Sequence, residues 1–152
     1  MSKKLKRIDR KIFPDILYNN IDVEKFINII MVSGKKTIAR NIVYKAFNYI
    51  KIFYKKDPIK IFSLALDNSA PLIESVNFKK NFNFNYLEIR NYRRKSLSMR
   101  WIKKFSKLRK NNFMYLNLAK ELISASMKRG ESVKKRNSIH KIFSSKKNYK
   151  NV

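Results

Sequence analysis

The sequence predicts a mainly α-helical fold, a bundle of about six helices, with one protruding β-hairpin between the third and fourth. Apolar residues recur at the spacing i, i+3, i+4, i+7 through most of the chain, and this gives way to strict alternation over one stretch. Asp, Pro and Gly stand where the period changes.

The first helix is expected to be capped by Asp22, to bury Val23, Phe26, Ile27 and Ile30, and to stop at Gly34 as a C-cap. A second carries Ala39, Ile42, Val43, Ala46, Ile50 and Phe53. Asp57-Pro58 reads as an N-cap followed by proline at the first helical position, opening a third helix that ends before Pro71. Val76, Phe78, Phe82, Phe84 and Tyr86 then alternate with asparagines around Lys79-Lys80, which is a hairpin with a basic tip. The apolar phase flips between Tyr86 and Leu87-x-Ile89, so a bulge is expected near Tyr86. Helical spacing returns with Leu97, Trp101, Phe105 and Leu108, which predicts a core seam anchored by Trp101. It continues with Tyr115, Leu118, Ala119 and Leu122 up to Gly130, and a last helix over about Ser132 to Phe143. The organisation expected is one domain over residues 1–152, with a basic arm at 1–13, the ribbon at 72–91 and an irregular basic tail at 144–152.

Charge narrows the partner. The 152 residues carry 37 Lys and Arg against 10 Asp and Glu, a net +27. A compact body so charged repels itself unless a polyanion neutralises it, which favours nucleic acid over an anionic membrane. Lysine abundance also accompanies A- and T-rich codons, together with the abundant Asn, Ile, Phe and Tyr. Arginine is therefore the better witness, and five of the ten, Arg90, Arg93, Arg94, Arg100 and Arg109, fall within twenty positions.

Other chemistries find little support. No cysteine is present, so disulfides and Cys-ligated zinc are excluded. The longest apolar runs are too short to span a bilayer, and the arm's Asp9 argues against a transit peptide. The acids form no paired carboxylates for acid–base work and no cluster to hold a nuclease's metal ions. Ser33-Gly34-Lys35-Lys36-Thr37 fails as a phosphate loop, since Ile29 occupies the first glycine's place and Lys36 that of the Ser/Thr. No catalytic residue, metal site or cofactor is expected.

The stretch Asn91 to Trp101, NYRRKSLSMRW, opens the most basic part of the chain. Arg100, Lys103, Lys104 and Lys107 share a helical face, and no acid lies between Glu88 and Glu121. Like charges at that spacing destabilise a helix unless an external anion compensates. Arg93 and Arg94 are expected to extend this phosphate-binding surface to the foot of the ribbon, with Ser96 and Ser98 starting or capping the helix. After Glu131, Lys134, Lys135, Arg136 and Lys141 likewise meet no carboxylate, and His140 among them is read as a hydrogen bond to RNA or a surface position.

Four blocks, in this order, resemble the bacterial-type small-subunit ribosomal protein family numbered seven: Met31-Val32-Ser33-Gly34-Lys35-Lys36 with Ile42-Val43-Tyr44; Arg90-x-x-Arg93-Arg94-x-x-Leu97-x-Met99-Arg100-Trp101-Ile102; Leu118-Ala119-x-Glu121-Leu122; and Gly130-x-x-Val133-Lys134-Lys135-Arg136-x-x-x-His140. The resemblance implies a helical body with a β-ribbon. It also implies a primary rRNA-binding protein that contacts the 3′ major domain of small-subunit rRNA and nucleates assembly of the subunit head. Its ribbon and last helix would lie near the mRNA exit path and exit-site tRNA, beside the ninth and eleventh small-subunit proteins. Lys79-Lys80-Asn81 stand where the family commonly turns through Gly-Gly, Asn91 replaces a usual proline, and Ile142, Phe143 and Tyr149 replace small residues. The RNA-contacting set expected is Lys3, Lys4, Lys6, Arg7, Arg10 and Lys11 in the arm; Lys35 and Lys36 after the first helix; Lys79 and Lys80 at the ribbon tip; Arg90, Arg93, Arg94, Arg100, Lys103, Lys104 and Lys107; and Lys134, Lys135, Arg136 and His140. The alternative is a non-ribosomal nucleic-acid-binding or compacting protein. A ribosome of a bacterium with an A+T-rich genome and that of an organelle fit the composition equally.

Overall fold

The structure is a computed structural model that describes residues 12–77 and 84–149. The arm through Lys11 and the ribbon tip with Lys79 and Lys80 lie outside the described residues. Six helices and one hairpin follow in the expected order: α1 Ile21–Ile30, α2 Lys36–Tyr54, α3 Pro58–Ser69, β1 Ile73–Asn77, β2 Phe84–Glu88, α4 Asn91–Leu108, α5 Met114–Ser126 and α6 Glu131–Tyr149.

The helix starts test the capping logic. Asp57 caps α3 as read, accepting from the Ile59 N–H at 2.9 Å with Pro58 at the first position. The cap of α1 is Asn20 instead of Asp22: the Asn20 Oδ1 accepts from the N–H groups of Asp22 and Val23, which leaves the Asp22 carboxylate free for cations. Gly34 is not the C-cap of α1. The helix ends at Ile30, and Gly34, at φ +73°, completes the turn into α2 beside Ser33 at φ +50°, a conformation glycine adopts without steric cost.

α5 lies at the centre of the bundle, packed against α2, α3 and α4. It is accordingly buried nearly all round, through Asn117, Leu118, Ala119, Glu121, Leu122, Ile123 and Ala125. Around it close Phe26 and Ile27 of α1, Val43, Phe47 and Ile50 of α2, Phe62 and Leu66 of α3, and Met99 and Ile102 of α4. The Phe62 ring lies 5.1 Å from that of Phe26 and 5.6 Å from that of Phe47. In α2 the expected apolar stripe shifts at its end: Phe47 is buried, while Phe53 is 67% exposed.

A larger shift concerns α4. Its buried side is Ser98, Met99, Ile102 and Ser106, one position out of phase with the expected seam. Leu97, Trp101 and Phe105 are only half-buried, and Leu108 is exposed. The serines explain the displacement. Ser98 Oγ lies 2.6 Å from Ser69 Oγ and donates to the Leu66 carbonyl at 3.1 Å, so two small, internally satisfied side chains occupy the α3–α4 crossing where larger residues would hold the helices apart. Neither serine of NYRRKSLSMRW caps the helix, because α4 begins at Asn91 with Arg90 as its N-cap.

The ribbon register runs without interruption from Ile73↔Glu88 to Asn77↔Phe84, and Ser75 pairs with Tyr86, so the expected bulge is absent. The phase flip has another cause: Ile89 follows β2 at the foot of the ribbon, where it is buried and donates its N–H to the Leu72 carbonyl at 3.0 Å. α6 extends to Tyr149, six residues beyond Phe143, so the start of the expected irregular tail is helical.

Candidate nucleic-acid interface

The exposed side of α4 stands opposite Met99, Ile102 and Ser106, and carries Arg93, Arg100, Lys104 and Lys107. Of the expected face Arg100, Lys103, Lys104 and Lys107, Lys103 is half-buried and the other three are exposed; the expectation that this stretch of the chain meets no carboxylate fails in three places, because folding brings acids from other elements. Glu74 of β1 receives Arg93 Nε at 2.7 Å and Nη2 at 2.9 Å, and the hydrogen bond from Arg93 is the main reason its carboxyl is held below the usual range. Asp22 of α1 takes Lys95 Nζ at 2.6 Å, and Lys25, beside it, places its ammonium 4.9 Å from the Tyr92 ring centroid. Arg109 pairs with Glu121 of α5.

Two more of the expected contacts are engaged within the fold. Arg94 Nε donates to the Pro71 carbonyl at 3.1 Å and its Nη1 to Asn91, tying the helix start to the foot of the ribbon. Lys103 Nζ donates to the Ile29 carbonyl, and burial, with Lys107 nearby, lowers its pKa. Arg100, Lys104 and Lys107, all exposed, together with the N-cap Arg90, form no ion pair among the described residues. The anion-ready face is thus narrower than the charge run.

Elsewhere the expected set divides in the same way. Lys36 is bonded to the buried Glu24, whereas Lys35 is exposed before α2. On α6, Lys134 pairs with Glu131 at 2.6 Å, Arg136 forks onto Asn137 Oδ1, and Lys135 projects outward. His140 has a partner the sequence did not reveal: its Nε2 accepts the Leu72 N–H at 3.1 Å, fastening α6 to the ribbon foot. Desolvation, then Arg136 and Arg94, lower its pKa, so the ring is held neutral as an acceptor.

Sequence reasoning also passed over a second basic surface. Arg40 and Lys51 lie on one side of α2 at i and i+11, and Lys55 follows as its left-handed cap, a spacing legible in the sequence but carried by no contiguous charge run. Among the described residues, no group of three or more His, Cys, Asp or Glu side chains could hold a metal ion, and no helix is long and apolar enough to cross a membrane.

Comparison with known proteins finds relatives over most of the chain. The family model described as ribosomal protein S7p/S5e matches residues 2–147. The small ribosomal subunit protein uS7 of Janthinobacterium sp. (strain Marseille) is 40% identical over 141 residues, covering 91% of this chain and 90% of that protein. The uS7 protein of Nitrosomonas europaea matches to the same extent. That of Burkholderia mallei (strain SAVP1) is 42% identical over 136 residues, 88% of this chain and 86% of its own.

Proposed function

Because this chain belongs to the ribosomal protein S7p/S5e family, structural and non-enzymatic constituents of the small ribosomal subunit, we propose that it is a primary rRNA-binding protein. It binds the 3′ major domain of small-subunit rRNA and nucleates assembly of the subunit head. The observation that carries this reading is the unpaired face of Arg100, Lys104 and Lys107, held rigidly by a helix whose other side is core. Such cations hold phosphates, while the shape of the folded body, more than base-edge hydrogen bonds, selects the site. Arg93 and Arg94 act first on the ribbon foot, and Arg93 remains exposed enough for a phosphate to share it with Glu74.

His140 of α6 holds Leu72 at the foot of the ribbon, so ribbon and α6 are adjoining parts of one face. The ribbon and α6 lie near the mRNA exit path and exit-site tRNA, with the ninth and eleventh small-subunit proteins as neighbours. The arm and Lys35, with Lys135 on α6, add phosphate contacts around this centre, within a single rRNA-binding domain. The ribosome is that of a bacterium with an A+T-rich genome or of an organelle.

Footprinting on purified small-subunit rRNA tests the reading. A single protected junction in the 3′ major domain is expected. Equal binding of unrelated duplex DNA at moderate salt would instead mark a general nucleic-acid compactor.

A further inference from the structure

A hollow of about 230 Å³ opens between α1 and α4, lined by Asp22 and Lys25 of α1 and by Asn91, Tyr92, Lys95 and the buried Met99 of α4. That is below the roughly 300 to 1,000 Å³ of a pocket for a drug-sized ligand, and suits one small planar group. Tyr92, Ser96, Arg100 and Lys104 follow one another at intervals of four, so the hollow stands at the head of the same helix ridge that carries two of the unpaired cations. Tyr92 and Arg100 are about 12 Å apart along the axis at 1.5 Å per residue, a span of a few nucleotides.

The ion pairs of this hollow account for its acid, but not for its ring. Tyr92 is 64% exposed, and Lys25 Nζ lies over one face of the phenol, 4.9 Å from the centroid, which leaves the opposite face to a stacking partner. Asp22 Oδ2 takes Lys95 Nζ at 2.6 Å, and Lys25 Nζ is 3.6 Å from Oδ1. A carboxylate offers about four acceptor positions, so these two cations do not exhaust it. The Asp22 side chain keeps 25% exposure, within reach of a group from outside. Asn91 accepts from Arg94 through its carboxamide oxygen, so its N–H groups are the part left to donate. An aromatic face, a partly engaged carboxylate and an amide donor thus border one small hollow.

We propose that this α1–α4 hollow receives one unstacked guanine of the RNA strand whose phosphates lie on Arg100 and Lys104, with Tyr92 as the stacking face and Asp22 as the acceptor. This rests on the reading of the chain as an rRNA-binding protein, and it adds a base contact to a surface otherwise read as holding phosphates. Stacking on an aromatic side chain tolerates any base. The edge decides among them. Guanine alone presents two adjacent donors, N1–H and N2–H, beside the O6 acceptor, which matches a carboxylate next to an amide N–H.

Binding to small-subunit rRNA tests the pocket through two variants that plain charge attraction would order differently. Tyr92→Ala should lower affinity roughly 5- to 150-fold, the loss of one stacked base, with the salt slope unchanged because no cation is removed. Tyr92→Phe keeps the ring and should bind as the wild type does. Asp22→Asn should weaken binding although it makes the chain more positive, whereas phosphate attraction alone predicts tighter binding. Kethoxal, which adds across N1 and N2 of unpaired guanine, should find one guanine shielded by the wild type and by Tyr92→Phe, and reactive again with Asp22→Asn. Wild-type affinity for Tyr92→Ala, tighter binding by Asp22→Asn, or no shielded guanine would overturn the pocket and leave the α4 phosphate face standing. A wild-type protein that binds unrelated duplex DNA as well as rRNA would sink the rRNA reading itself.

Discussion

Arg109 and Glu121 form a buried ion pair, with Nη2 2.7 Å and Nε 3.0 Å from Oε2. The other carboxylate oxygen accepts the Ser132 N–H and hydroxyl at 3.1 and 2.9 Å, so one fully buried acid joins the end of α4, the middle of α5 and the start of α6. Gly130 is part of this joint, because a Cβ there would lie 2.9 Å from Glu121 Oε1 and 3.0 Å from the Ala125 backbone. An arginine that looks in sequence like part of the RNA surface thus serves the fold.

Glu121→Ala is therefore expected to destabilise the protein by about 3 kcal/mol, the lower end for breaking a buried pair, since the Arg109 side chain keeps 29% exposure and can recover some solvation. Chemical denaturation measures it. Rescue by the double variant Glu121→Ala/Arg109→Ala would confirm that the cost is largely the stranded charge.

The phase of α4 predicts a contrast between neighbours. Met99→Ala, at a fully buried site, should cost about 2 to 5 kcal/mol. Trp101→Ala should cost less, despite the larger side chain, because the indole is only half-buried on the flank. Thermal melts of the two variants decide the order.

His140 predicts a pH dependence. Its folded pKa lies below the ordinary histidine value, chiefly through desolvation, so near-neutral pH finds the ring neutral in both states. As pH falls through the ordinary value near 6.5, the unfolded chain takes up the proton first, and stability drops until the folded pKa is passed. Protonation also removes the acceptor that Leu72 uses. Melting temperature should fall as pH drops through about 6.5, and His140→Gln should lose part of that dependence.

Helix number, order and the position of the ribbon were legible because apolar period and the Asp57-Pro58 start are local properties. The phase of α4 was not. Leu97 and Trp101 outweigh Ser98 and Met99 on any hydrophobic scale, and only the Ser69–Ser98 contact reveals which side is buried. The same holds for charge: a stretch without acids reads as unneutralised, yet Glu74 and Asp22 reach Arg93 and Lys95 across 19 and 73 residues. Pairing across elements is a tertiary fact. What survives of the charge run is the exposed part that forms no ion pair among the described residues.

That remainder, Arg100, Lys104 and Lys107, carries the central claim, and the salt dependence of binding to small-subunit rRNA tests it most directly. Replacing all three with Gln removes exposed charge without touching the core, so stability should hold while the slope of log affinity against log salt flattens by about 2 to 3. A triple variant that keeps the wild-type affinity and slope would contradict the account and show this face of α4 to be merely solvated.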